Sequence, residues 1–129
     1  MKLEHAALWT PDLEASRHFY ARYFGAQAGP RYENPTTGFR SYFLSFDGGS
    51  RIELMQMPGI SPRGAEPEVQ RLGLVHLAFD AGDVAGVDAL TESLRRDGHR
   101  VIGEPRRTGD GYYESTVLDP DGNRIELTA

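Results

Sequence analysis

The sequence predicts an α+β domain built from two βαβββ modules that form a curved mixed sheet. Three observations predict it. The tetrapeptide Arg-Ile-Glu-Leu occurs at 51–54 and again at 124–127, placing Glu53 and Glu126 126 − 53 = 73 residues apart. Upstream, "EHAALWTPDLEASRHFYARYFG" resembles "VHLAFDAGDVAGVDALTESLRRDG"; His5 and His76 lie 76 − 5 = 71 residues apart, and Asp12 and Asp83 keep that offset. In each half a strand-like alternation gives way to helical spacing and then returns. The expected organisation is a single domain, 1–129, with modules at 1–57 and 73–129 and a connecting loop at 58–72.

Each module opens with a strand, at 3–9 and 74–80. In the first, Thr10 is the expected N-cap with Pro11 at the first helical position, and Gly25 ends the helix. Leu13, Ser16, Phe19, Tyr20, Tyr23 and Phe24 recur at helical spacing as one mostly apolar stripe. In the second, Asp83 is the cap, Val84, Val87, Leu90 and Leu94 make the stripe, and Gly98 ends it. The strands "SYFLSF" and "RIELMQM" follow in one half, joined by "DGGS"; "STVLD" and "NRIELT" follow in the other, joined by "PDG". The intervening "PGISPRGAEPEVQR" lacks periodicity and reads as a loop.

Composition narrows the function classes. With 129 residues, 39% hydrophobic and 26% charged, the chain is long enough to bury a core without covalent staples. A net charge of −5 gives no electrostatic footprint for nucleic acid or an anionic membrane. Cysteine is absent, which excludes disulfides, thiolate metal sites and a thiol nucleophile. No apolar run approaches a membrane span and the first residues lack a signal-peptide core, so the expected location is cytoplasmic.

Strand geometry then sorts the polar residues. Successive side chains face opposite sides, so in both copies of the tetrapeptide the Ile and Leu share one face and the Arg and Glu share the other. The aliphatic face suits the module's helix, and the carboxylate looks away from it. His5 and His76 obey the same arithmetic. A carboxylate facing a half-buried cup carries a desolvation cost that a cation would remove. Two imidazoles and two carboxylates suit a first-row divalent metal. The competing reading pairs each Glu with Arg51 or Arg124 on its own strand and makes each His a core residue. His18 and His99 are expected at the surface.

These residues resemble the vicinal-oxygen-chelate superfamily, which includes glyoxalase I, certain epimerases, extradiol dioxygenases and fosfomycin- or bleomycin-resistance proteins. The likeness spans nearly the whole chain and rests on the His of the first strand, "DLEASRHFYARYFGA", "IELM", "LVHLAF" and "DPDGNRIEL". It implies that His5, Glu53, His76 and Glu126 are metal ligands of a glyoxalase I-like protein. The epimerase pattern usually has Gln at the Glu53 position, and dioxygenases commonly have His. The resemblance further implies one divalent ion per site (Ni, Zn or Co, with Fe or Mn as alternatives), a homodimer, and a small-molecule substrate. Glu126 would act as base, with Glu53 as its partner. The implied reaction is isomerase or lyase chemistry on an α-oxo or α-hydroxy carbonyl compound through a metal-bound enediolate.

Two positions depart from the glutathione-using bacterial enzymes, which typically have Arg and Asn where this chain has Trp9 and Met57. Neither side chain replaces a charge-assisted bond to a carboxylate, so glutathione is not the expected substrate. Trp9 and Met57 are expected to line the cup. Arg40 and Phe39, with Arg106 and Tyr112 from a predicted loop "EPRRTGDGYYES", are further substrate-pocket candidates. The alternatives are an iron-dependent oxygenase using two His and one carboxylate, and a small-molecule-binding or resistance protein without turnover.

Overall fold

The computed structural model describes residues 1–62, 64 and 66–129. Positions 63 and 65 of the predicted connecting loop fall outside them. The chain divides into two compact units, Met1–Arg63 and Gly64–Ala129.

The first unit runs β1 (Ala6–Trp9), α1 (Leu13–Phe24), β2 (Gln27–Ala28), β3 (Tyr32–Asn34), β4 (Phe39–Ser45) and β5 (Arg51–Gln56). Its sheet has the order β1-β5-β4-β2, with β3 also on β4. β1 and β5 are parallel, and the remaining pairs are antiparallel. β2 pairs with Leu44 and Ser45, and β3 with Phe39, Arg40 and Ser41, so the two form one interrupted outer strand. Pro30 lies in the gap and has no N–H to give the ladder, while the Gly29 N–H still reaches the Phe43 carbonyl at 2.9 Å.

The second unit runs β6 (His76–Asp80), α2 (Val84–Arg96), β7 (Val101–Arg107), β8 (Tyr113–Leu118) and β9 (Arg124–Thr128). Its order, β6-β9-β8-β7, repeats that of the first sheet, again with one parallel pair. The predicted βαβββ plan therefore holds in both units once β2 and β3 are counted together. The predicted loop over 104–115 is corrected: 104–107 belong to β7 and 113–115 to β8. Arg106 pairs with Glu114 and Arg107 with Tyr113, leaving only a tight turn in which the Thr108 N–H bonds the Tyr112 carbonyl at 2.9 Å.

Helix entry in the first unit is also corrected. The N-cap is Asp12, whose carboxylate accepts the Ala15 N–H at 3.0 Å. Thr10 sits upstream and buried; its hydroxyl accepts the Asp12 N–H at 3.1 Å and pairs with the Ser16 hydroxyl at 2.9 Å. Gly25 closes the helix in the left-handed conformation at φ 66°, a position few side-chain-bearing residues tolerate. Asp83 caps α2 as predicted, accepting the Gly86 N–H at 2.7 Å. α2 ends at Arg96 with Asp97 as its C-cap, and the predicted stop Gly98 lies just beyond at φ 89°.

Each core lies between one helix and one sheet face. Leu13, Phe19 and Tyr20 of α1 are buried with Leu44, Ile52 and Leu54; Val87 and Leu94 of α2 with Val117, Ile125 and Leu127. The Ile and Leu of both repeated tetrapeptides thus face the helix, which turns Glu53 and Glu126 to the opposite side.

Candidate metal-binding site

Glu53 is in register with Ala7 of β1, and Glu126 with Ala78 of β6. His5 and His76 each stand two residues before that partner, so both units make the same diagonal step from carboxylate to imidazole. His5 Nε2 lies 3.7 Å from Glu53 Oε2, and His76 Nε2 lies 3.3 Å from Glu126 Oε2. The carboxylates are the more sheltered partners, 17% and 20% exposed against 34% and 38% for the imidazoles.

The competing ion pairs expected from the sequence do not form. Arg51 binds Glu4 and lies over the Phe43 ring, 4.5 Å from its centroid. Arg124 donates to the Pro67 and Glu68 carbonyls at 3.1 and 2.5 Å. Among the described residues, Glu53 and Glu126 therefore face an imidazole and no guanidinium. That donor set fits a divalent cation. Ligands about 2.0–2.2 Å from an ion, at angles between 90° and the tetrahedral value, lie roughly 3.0–3.5 Å from one another. Each His–Glu pair is spaced close to one edge of such a polyhedron. Among the described residues, no group of three or more His, Asp or Glu gathers into one cluster.

The two imidazoles differ in their backing. His5 Nδ1–H donates to Glu4, which directs the Nε2 lone pair toward Glu53. The residue before His76 is Val75, and among the described residues no carboxylate backs its Nδ1. Glu4 was not among the sequence candidates; its only signal was adjacency to His5.

The other candidates divide by sheet face. Trp9 shares the face of His5 and Glu53, in register with Met55, and Met57 lies one residue beyond β5. Phe39 is on that face too, 6.1 Å from the Trp9 ring and at right angles to it. Arg40 is corrected. It pairs with Gln56, which puts it on the helix side of the sheet, where its guanidinium binds Glu33 at 3.1 Å. Alternation from Phe39 carried this signal. Arg106 shares the face of Glu126 through Glu114, which it binds at 3.0 Å, and Tyr112 is exposed at the tip of the β7–β8 turn. Tyr32 and Met55 also join the first unit's site face. His18 is exposed and His99 half-buried.

Two α+β units, each with one helix on a four-position mixed sheet and a His–Glu pair on the far face, define the protein class. The sequence profile of the Glyoxalase/Bleomycin resistance protein/Dioxygenase superfamily matches residues 2–127, and the chain belongs to that superfamily. The uncharacterised protein YqjT of Bacillus subtilis is 34% identical, with 98% of each chain covered. An ethylmalonyl-CoA/methylmalonyl-CoA epimerase of Cereibacter sphaeroides is 30% identical over 81% of this chain and 78% of its own length. A solved glyoxalase family protein from Enterococcus faecalis superposes with a TM-score of 0.78 at 25% identity, covering 99% of this chain and 97% of that one. Among the described residues, no helix is long and apolar enough to cross a membrane.

Proposed function

We propose that the protein is a metal-dependent isomerase or lyase that moves a proton between carbons adjacent to oxygen in an α-oxo or α-hydroxy carbonyl compound. His5, Glu53, His76 and Glu126 would supply ligands to one divalent ion per chain, with Ni, Zn or Co as the fitting metals. Bound there, the ion would supply Lewis-acid stabilisation for negative charge on the substrate oxygens. The observation that carries the reading is the pair of repeat-related His–Glu contacts whose carboxylates engage no Arg among the described residues.

The rest is work for side chains of this chain. Glu126 takes the proton from the carbon next to the carbonyl through a carboxylate oxygen and returns it to the neighbouring carbon. Glu53 is the second carboxylate able to hold that proton. The named relative supports the same step, since epimerising a carbon beside a carbonyl also means removing and replacing its proton. Trp9 and Met57 argue against a glutathione carboxylate as the recognition element. The two units act as modules of one domain, and the working assembly is a homodimer.

Elemental analysis of the purified protein tests the metal reading. Ni, Zn or Co near one per chain, without oxygen uptake, supports it; iron with oxygen consumption moves the assignment to an oxygenase. A protein that neither carries nor takes up metal is a binding protein. Glu126→Gln should abolish isomerase turnover by about a hundredfold or more while circular dichroism stays unchanged. Unaltered turnover would remove Glu126 from its role.

A further inference from the structure

Beyond Glu53, the far face of the first unit's sheet changes character. Met55 follows Glu53 by two residues and is in register with Trp9 on one side and Ser41 on the other; Ser41 in turn pairs with Tyr32. Phe39 joins the two outer rings. It meets Trp9 edge to face at 6.1 Å and 90°, and Tyr32 at 6.1 Å and 55°. Trp9 is 41% and Tyr32 56% exposed, a large aromatic area left toward solvent on one small sheet. The nearby cations are committed elsewhere: Arg31 and Arg40 both bind Glu33, and Arg51 binds Glu4. Among the described residues of this patch, no cation is left to recognise an anion.

We infer that Trp9, Phe39, Tyr32 and Met55 form a binding platform for a neutral, planar apolar group carried by the substrate. The inference rests on the proposed function, because the platform continues the face that holds His5 and Glu53. Strand rise fixes its distance. Two residues span about 6.8 Å, so the platform begins roughly 7 Å from Glu53 and reaches about 14 Å from His5 at Trp9. A ring attached directly to the dioxygenated carbons falls short of it, and a ring on a linker of two or more carbons reaches it. Phe39 and Trp9 pack at right angles and Trp9 is 41% exposed, so a planar apolar group has aromatic surface to pack on. The substrate class is therefore an α-oxo or α-hydroxy acid or ketone with an aryl group on a short alkyl chain.

Trp9 is the single tryptophan of the chain, so the platform reports on itself. Indole emission is followed while the metal-loaded protein is titrated with 2-oxobutyrate, phenylglyoxylate, phenylpyruvate and 2-oxo-4-phenylbutyrate, with metal content measured on the same samples. Affinity should rise with linker length, 2-oxo-4-phenylbutyrate binding roughly ten- to hundredfold tighter than 2-oxobutyrate, as expected for burying one phenyl group. Phe39→Ala should cancel most of that difference, bringing the affinities of the four compounds close together. Equal affinities across the series with metal bound would overturn the platform and spare the metal reading. Emission that ignores every ligand but shifts with protein concentration would overturn it in favour of a second copy covering the rings. Aryl-dependent quenching in protein that binds no metal would keep the platform and defeat the metal reading.

Discussion

A methyl group on Gly86 would meet the Ala81 carbonyl oxygen at 2.1 Å, and backbone cannot swing aside as a flexible side chain can. Gly86 occupies the first turn of α2, where its N–H reaches the Asp83 carboxylate. Gly86→Ala should therefore destabilise by about 1–3 kcal/mol, against the usual gain for Gly to Ala within a helix. Urea unfolding would show this as a lower midpoint at unchanged slope. At this scale the sequence was legible where periodicity acted. Alternation along two copies of one tetrapeptide put Ile and Leu under the helix and Glu on the far side, as the burial at 52, 54, 125 and 127 bears out. It was less legible where several groups competed for one job. Thr10 and Asp12 both suit an N-cap, and only the chain path shows that Asp12 reaches the Ala15 N–H while Thr10 turns inward to Ser16.

Helix α1 is tied to its sheet by a polar bond as well as by apolar burial. The Tyr42 hydroxyl of β4 donates to Glu14 at 2.8 Å, and Arg17 donates to the same carboxylate at 2.8 Å. Glu14 is held below the ordinary carboxylate range by the Tyr42 bond first and the Arg17 bond second. Tyr42 is pushed up, chiefly by that bond and then by burial. The signs follow from which state holds the proton. The Glu14 contribution is complete above the ordinary glutamate pKa of about 4.3 and fades as pH falls through the lowered folded value. The Tyr42 contribution is complete below about pH 10 and fades as pH rises through the raised folded value. Tyr42→Phe should return the Glu14 titration upward, though Arg17 keeps it below ordinary, and should cost about 0.5–1.5 kcal/mol. Carboxyl carbon NMR titration reads the first effect and urea unfolding the second. Outer strands were the least legible elements. Neither the two-residue β2 nor the three-residue β3 is long enough to show alternation, and Pro105 with two register shifts disguised β7 as loop.

For the whole molecule, the repeat is the main organising fact. Both sheets share one strand order, one parallel pair and one diagonal from His to Glu, so a single ancestral plan would explain the matched geometry of the two pairs. The pairs are legible in the sequence because they recur at offsets of 71 and 73 residues. The backing of His5 by Glu4 is not, because Val75 breaks the repeat there. Metal binding by both pairs, as proposed, would couple occupancy to folding. At a free-ion concentration a hundredfold above Kd, the native state gains about 2.7 kcal/mol, worth roughly 10 °C in Tm for a domain of this size. Chelation should lower Tm by that order, and His76→Ala should have a lower Tm that chelator no longer changes. A chelator shift retained in full by His76→Ala would take that imidazole out of the ligand set.

The interrupted outer strand of the first unit carries a consequence for life at high concentration. A long, flat margin of unpaired N–H and carbonyl groups invites another chain to add itself and begin a fibril. Here the margin breaks at Gly29 and Pro30, and its counterpart β7 shifts register on both sides of Gly103 and carries Pro105, so an incoming strand finds no regular run to copy. The molecule is thereby protected against stacking along these margins, a safeguard written into its least regular segments.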